Sequence, residues 1–221
     1  MSKKVVLLGD SLIDTYDFMG SGFPELRHEL TKLSPSLDIE LKNHGVGTTN
    51  VVLGLQRVTQ PYDYAARGRK LPAVIDEHAD LVVLESFAYN HLTDSVDDLE
   101  RYLDCHRQII KILQTKTSTK ILLYATIAPN RNRYASGVIN LNWPEERRAQ
   151  EYELIMKYFK TFLKFANKSS LPFLDVFSKS LTPEGTGNLA YESNVDYVHL
   201  SFEGRVFISQ YLAPKIIELL S

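Results

Sequence analysis

Short runs of aliphatic and β-branched residues alternate along this chain with longer stretches in which apolar positions recur at helical spacing. Residues 3–8 form an almost unbroken apolar run, Val5-Val6-Leu7-Leu8 after two lysines, the pattern of a strand buried on both faces. Residues 37–43 alternate instead, with Leu37, Ile39 and Leu41 apolar, which predicts a more exposed strand near a sheet edge. Residues 81–84, 120–126 and 171–176 predict three further strands, the last of them short. Between these, residues 24–33 set Leu26, Leu30 and Leu33 at helical spacing, with Arg27, Glu29 and Lys32 on other faces. Residues 94–116 bring Val96, Leu99, Leu103, Ile109, Ile110 and Leu113 near one stripe, with carboxylates early and lysines late, as a helix dipole favours. Pro144-Glu145-Glu146 opens another helix that runs to about Asn167, since proline is tolerated in a first turn. Ser201 is placed to cap a last helix that buries Val206, Ile208, Leu212, Ile216 and Leu220 or their near neighbours.

Strands alternating with helices predict an α/β chain with a parallel sheet and helices on both faces, a three-layer arrangement. No Pro/Gly/Ser-rich linker, internal repeat or low-complexity segment interrupts the 221 residues, so residues 1–221 read as one domain. Composition changes little in this picture: 44% hydrophobic and 24% charged residues make an ordinary core and surface. The formal net charge of −2 supplies no basic field for nucleic acid or an anionic membrane. No apolar run is long enough to span a bilayer, and the basic Met1-Ser2-Lys3-Lys4 start is followed by an apolar stretch that ends at Gly9-Asp10. Cys105, the sole cysteine, cannot form an internal disulfide and reads as a half-buried helical residue; a reducing, cytoplasmic setting is the expectation.

In a sheet of this kind functional loops gather at the carboxyl ends of the strands. Residues 9–11, 45–50, 86–91 and 129–134 fall there. Gly9 allows a tight turn after the first strand, which stands the Ser11 hydroxyl at the sheet edge beside a helix start; the bland alternative is a strand-ending turn in which Asp10 or Ser11 is only a cap. A serine becomes a nucleophile when a base takes its proton and a third group holds the base. Asp196-Tyr197-Val198-His199 offers such a pair, because a carboxylate three residues before a histidine on a turn can reach its ring nitrogen. Two unrelated polar loop residues are the alternative; a metal site lacks a His-x-x-x-His or a carboxylate cluster to complete it, and no metal is expected. Donors for a developing oxyanion are available from the backbone of Gly45-Val46-Gly47-Thr48, from the amide side chain of Asn90 and from the backbone N–H of Ser11. Gly45-x-Gly47 fails as a dinucleotide fingerprint, and neither a Walker A sequence nor a Gly-x-Ser-x-Gly elbow is present.

Taken in order, Gly9-Asp10-Ser11-Leu12, Asn43-His44-Gly45-Val46-Gly47-Thr48-Thr49-Asn50, Asn90 and Asp196-x-x-His199-Leu200-Ser201 resemble the four blocks of the SGNH/GDSL hydrolase family, across nearly the whole chain. The resemblance implies a flavodoxin-like α/β/α sandwich on a mainly five-stranded parallel sheet. It also implies cofactor-free ester hydrolysis, with Ser11 as nucleophile, His199 as base and Asp196 as its partner. The chain departs from the family in two places. The third block reads Ala88-Tyr89-Asn90-His91 rather than Gly-x-Asn-Asp, and an ungapped comparison sets the family's oxyanion glycine on Thr48 whereas a one-residue shift sets it on Gly47. A requirement for positive φ would favour Gly47.

Among the remaining polar residues, His28, His78 and His106 read as surface or half-buried helical residues, His44 and His91 as structural neighbours of the site, and Glu85 as a buried acceptor of backbone donors. Arg131-Asn132-Arg133-Tyr134 follows the fourth strand and is either a solvated loop or a contact for an anionic or sugar substrate, with Trp143, Tyr89 and Tyr197 as stacking surfaces. The segment 60–70, with Arg67, Arg69 and two tyrosines, reads as an exposed connection or a lid. The expected activity is a carboxylic ester hydrolase acting on a small acyl ester such as an acetylated carbohydrate. Acyl transfer by the same residues is the enzymatic alternative, and a non-catalytic module binding carbohydrate or protein is the alternative of another class.

Overall fold

The computed structural model describes residues 2–17, 20–93, 95–138, 141 and 143–221. A five-stranded parallel sheet organises it: β1 (Lys3–Gly9), β2 (Ile39–Gly45), β5 (Leu81–Glu85), β6 (Lys120–Ala125) and β7 (Phe173–Asp175), in the spatial order β2-β1-β5-β6-β7. Val5 to Leu8 and Leu81 to Leu84 are at most 1% exposed, as central strands covered on both faces require. The alternating strand β2 sits at the edge, where Glu40 points to solvent.

The short helix α1 (Ser11–Tyr16) packs with α2 (Pro24–Leu33) and α7 (Phe202–Leu220) on one face, where Tyr16 Oη meets Ser209 Oγ at 2.8 Å. Helices α3 (Val51–Thr59), α4 (Val96–Lys116) and α5 (Glu145–Lys168) cover the other face. A two-stranded antiparallel hairpin of β3 (Tyr62–Tyr64) and β4 (Arg69–Leu71) stands apart from the main sheet, and a single turn, α6 (Val176–Lys179), follows β7. Three layers around a parallel sheet are what the sequence predicts.

Boundaries and details differ in instructive ways. The predicted start of α4 at Asp94 lies outside the described residues, and the helix begins at Val96 behind the Ser95 N-cap, whose side chain accepts from Asp98 N–H. Its buried stripe is Tyr102, Cys105, His106, Ile109 and Leu113, whereas Val96 is 74% exposed. His106 is therefore not a surface residue. Its ring lies among Phe87, Tyr102, Phe162 and Phe165, held by a hydrogen bond from Nδ1 to the Tyr102 carbonyl, and burial pushes its pKa down to about 4. Cys105 is buried rather than half-buried. In α7, Ile208, Leu212, Ile216 and Leu220 are buried as expected, and Ser201 caps the helix through Gly204 N–H, but Val206 is only half-buried. No helix among the described residues is long and apolar enough to cross a membrane.

The first turn of the site is built by two glycines opposite one another in the β1–β2 register. A methyl group on Gly45 would lie 2.2 Å from Asp14 N, so α1 rests directly on the backbone of β2. One on Gly9 would meet Ile13 Cγ1 at 2.4 Å. Arg57 of α3, 2% exposed, donates to the Gly9 carbonyl at 3.0 Å and the His44 carbonyl at 2.5 Å, tying the ends of both strands together.

Candidate active site

Asp10, not Ser11, caps α1: its Oδ1 accepts from Leu12 N–H at 2.8 Å. Ser11 is the first helical residue, and its hydroxyl makes no hydrogen bond among the described residues. Its backbone N–H is one of the donors a helix start leaves without an internal partner. Asp10 is fully buried, and its Oδ2 accepts from Asn90 Nδ2 at 2.8 Å. Burial raises its pKa against the opposing effects of Leu12 N–H, the Asn90 amide and the charges of His199 and Arg57. The neighbouring buried Glu85 is raised further, by burial and then by Asp10. It accepts from Ser86 Oγ and Phe87 N–H, the role expected of it.

At the opposite wall, His199 Nδ1 lies 2.6 Å from Asp196 Oδ2. Asp196 Oδ1 accepts from the backbone N–H groups of Val198 and His199, each at 3.0 Å. Burial pushes the Asp196 carboxyl up. The His199 hydrogen bond, the two backbone donors and the imidazole charge outweigh it and leave the group below its ordinary range. An ionised Asp196 can only accept, so Nδ1 carries the proton and Nε2 presents its lone pair. The loop is fixed by Ser193 N–H to the His199 carbonyl at 2.7 Å and Tyr197 N–H to the Ser193 carbonyl at 2.9 Å, with Tyr197 at φ +54°. No hydrogen bond joins Ser11 Oγ to His199 among the described residues; both line one cavity, a separation usual before substrate closes the site.

In the glycine-rich loop the two candidates, Gly47 and Thr48, differ in geometry. Gly47 N–H is committed, donating to Tyr64 Oη at 3.0 Å, and positive φ falls on Thr48, at +58°. Thr48 N–H has no partner among the described residues. Tyr64 in turn donates to Asp14 Oδ2 at 3.1 Å, which also takes Arg67 Nε at 3.2 Å, while Arg69 donates to Asp14 Oδ1 at 2.6 Å. Arg69 reaches the carbonyls of Asn43 and Gly45 as well, at 3.2 and 2.6 Å. The segment 60–70 is thus a hairpin docked on α1 rather than a loose connection.

These groups surround a cavity of about 450 Å³. Ser11, Thr48, Asn90 and His199 line it, and Tyr64, Tyr89, Tyr134 and Trp143 supply aromatic wall. Arg131 and Arg133, read as either a solvated loop or substrate contacts, do not line it. Arg131 pairs with Glu153 at 3.2 Å, and Arg133 lies 4.1 Å from the Tyr197 ring centroid, which it covers. His91 lines the cavity with Nε2 3.0 Å from Glu151, whereas His44 is buried elsewhere against Glu77 at 2.9 Å. Asp14, Tyr64, Arg67 and Glu151 are among the lining residues that sequence reasoning missed or left as loop. The usable signal was Asp14 one turn after Ser11, since positions three apart share a helix face. A larger groove of about 990 Å³ runs between α4 and α5, but none of the predicted site residues lines it. Among the described residues no group of three or more His, Cys, Asp or Glu side chains is arranged to hold a metal ion.

No protein-family model matches this sequence, and no curated protein does. Solved structures do. A GDSL-like lipase from Bacteroides thetaiotaomicron superposes with a TM-score of 0.65 at 15% identity, over 98% of this chain and 88% of that one. The acetyl xylan esterase AlAXEase gives 0.68 at 18% identity, over 96% and 99% of the two chains. The lipase/acylhydrolase from Enterococcus faecalis gives 0.65 at 16% identity, over 97% and 95%. Identities this low speak of architecture alone, and in architecture the chain has the α/β/α fold of the SGNH/GDSL hydrolases.

Proposed function

We propose that the protein is a serine esterase acting on a small acyl ester, an acetylated carbohydrate among the candidates. The observation that carries the reading is the convergence, on one cavity, of an uncommitted Ser11 hydroxyl, an Asp196-oriented His199 and the unpaired N–H of Thr48. Ser11 Oγ attacks the ester carbonyl as its proton passes to His199 Nε2, and Asp196 stabilises the imidazolium. The negative charge on the tetrahedral oxygen is met by the N–H groups of Ser11 and Thr48 and by the Asn90 amide, one of whose N–H bonds is already held by Asp10. His199 returns the proton to the leaving alkoxide, and water repeats the sequence to release the acid.

Hydrolysis of 4-nitrophenyl acetate by the wild type and by Ser11→Ala tests this, together with fluorophosphonate labelling. Turnover is expected to fall about a thousandfold or more in the variant, with labelling confined to the wild type. Undiminished turnover by Ser11→Ala would overturn the serine route. A wild type that neither hydrolyses esters nor labels would favour a binding module on this fold.

A further inference from the structure

The charged groups around the cavity do not balance locally. Asp196 is met by His199 at 2.6 Å, and Glu151 by His91 at 3.0 Å and Arg147 at 3.9 Å. Asp14 faces two guanidinium groups at close range, Arg67 at 3.2 Å and Arg69 at 2.6 Å. Arg69 spends both of its Nη atoms on Asp14 and on the carbonyls of Asn43 and Gly45. Arg67 gives Nε to Asp14 and also lies within hydrogen-bonding reach of Tyr64, which together engage only part of its five N–H donors. Its side chain is 52% exposed and lines the cavity. Gly68, at φ +61°, closes the single turn of the hairpin immediately after Arg67 and fixes where the arginine emerges.

The position is close to the chemistry. A methyl group placed on Gly47 would lie 3.9 Å from both Asp14 Oδ2 and Ser11 Cβ, and Arg67 Nε is 3.2 Å from that same Asp14 oxygen. A half-exposed guanidinium anchored through Nε at the cavity wall keeps N–H donors that a carboxylate or phosphate can take. We propose that Arg67 is a specificity-determining residue that selects esters bearing an anionic group within a short reach of the scissile carbonyl. The inference rests on the esterase reading for its substrate class, but the anion site stands on geometry alone.

The anionic group can sit on the acyl or on the alcohol side, and paired substrates distinguish these. One pair is 4-nitrophenyl hemisuccinate against 4-nitrophenyl butyrate; the other is 4-acetoxybenzoate against its methyl ester. Arg67→Ala is expected to lower kcat/KM for the anionic member of one pair roughly tenfold, while the neutral member changes little, because the site is half-exposed and water screens it. Arg67→Lys is expected to recover part of the preference. Asp14 retains Tyr64 and Arg69 in the variant, and thermal melting of Arg67→Ala close to the wild type checks that the hairpin stays docked. Equal effects on charged and neutral esters, or none, would overturn the proposal. Calorimetric titration with monomethyl succinate provides a readout that needs no turnover. Binding lost in Arg67→Ala supports the anion site even if no ester is hydrolysed, and binding equal in both proteins counts against it.

Discussion

Tyr64 occupies a chemically unusual position, accepting from Gly47 N–H and donating to Asp14 with one oxygen. In doing so it removes one loop N–H from competition and leaves Thr48 N–H as the free donor, at a φ that a threonine adopts only under constraint. Tyr64→Phe is expected to lower kcat about tenfold with little change in KM, together with about 1 kcal/mol of stability, through an unpaired Gly47 N–H and a relaxed loop. A stability loss with kcat unchanged would mean that the phenol only fastens the hairpin. Asp196→Asn probes the other wall. An amide can present a donor to Nδ1 and favour the tautomer that blocks Nε2, so kcat is expected to fall by about three to four orders of magnitude with the fold intact. Stopped-flow turnover combined with melting curves separates the two effects.

At the scale of elements, the turn that precedes α7 carries its own pH dependence. Glu192 is 3% exposed. Oε1 accepts from Asn130 N–H, Oε2 is buried without a partner, and burial followed by the nearby Asp196 charge raises its pKa to about 8. The folded state therefore holds a proton that the unfolded chain releases near 4.5, so this contribution is complete below that value and is lost as pH rises through about 8. His106 acts in the opposite sense, its depressed pKa removing stability as pH falls from 6.5 through about 4. Between pH 6.5 and 8 the Glu192 effect stands clear of that of His106, at about 2 kcal/mol across the interval. Glu192→Gln, which keeps an acceptor for Asn130 and adds a donor, is expected to remove most of this slope in melting temperature. An unchanged slope would mean that Glu192 is ionised in the folded protein.

The same scale explains what was legible in the sequence. Strands such as β1 and β5 announce themselves because a doubly covered strand must be apolar throughout. The hairpin of Tyr62, Asp63, Tyr64, Arg69 and Lys70 does not, because its partners are a carboxylate and backbone carbonyls rather than a core. Helix α3, capped by Asn50, follows directly from the site loop, and its one fully buried cation, Arg57, gave no periodic signal. That Ser11, Asp196 and His199 would meet at one cavity was legible because each sits next to a predicted element boundary. For Arg131 and Arg133 the sequence left a solvated loop and a substrate contact both open, because it shows which strand end a loop follows but not which way it turns.

Across the whole molecule, the parallel sheet brings together groups nearly the full chain length apart. Ser11 and Asn90 come from the ends of β1 and β5, and Asp196 and His199 from the approach to α7. The buried carboxyls of Asp10 and Glu85 and the Arg57 guanidinium lie beneath them. Arg57 is itself held down to about 10, by burial first, and joins the ends of β1 and β2. Ser11 and the glycine-rich loop consequently share one support, while the hairpin that presents Arg67 is a separate addition to it. That addition is moored to few side chains of the main body. Arg69 grips two peptide carbonyls, which any sequence supplies, and Asp14 is the one carboxylate it needs. Residues 60–71 thus form a cassette: exchanged for another hairpin that keeps Tyr64 and an arginine at position 69, they would change what meets the cavity without rebuilding the loops that carry Ser11 and Thr48.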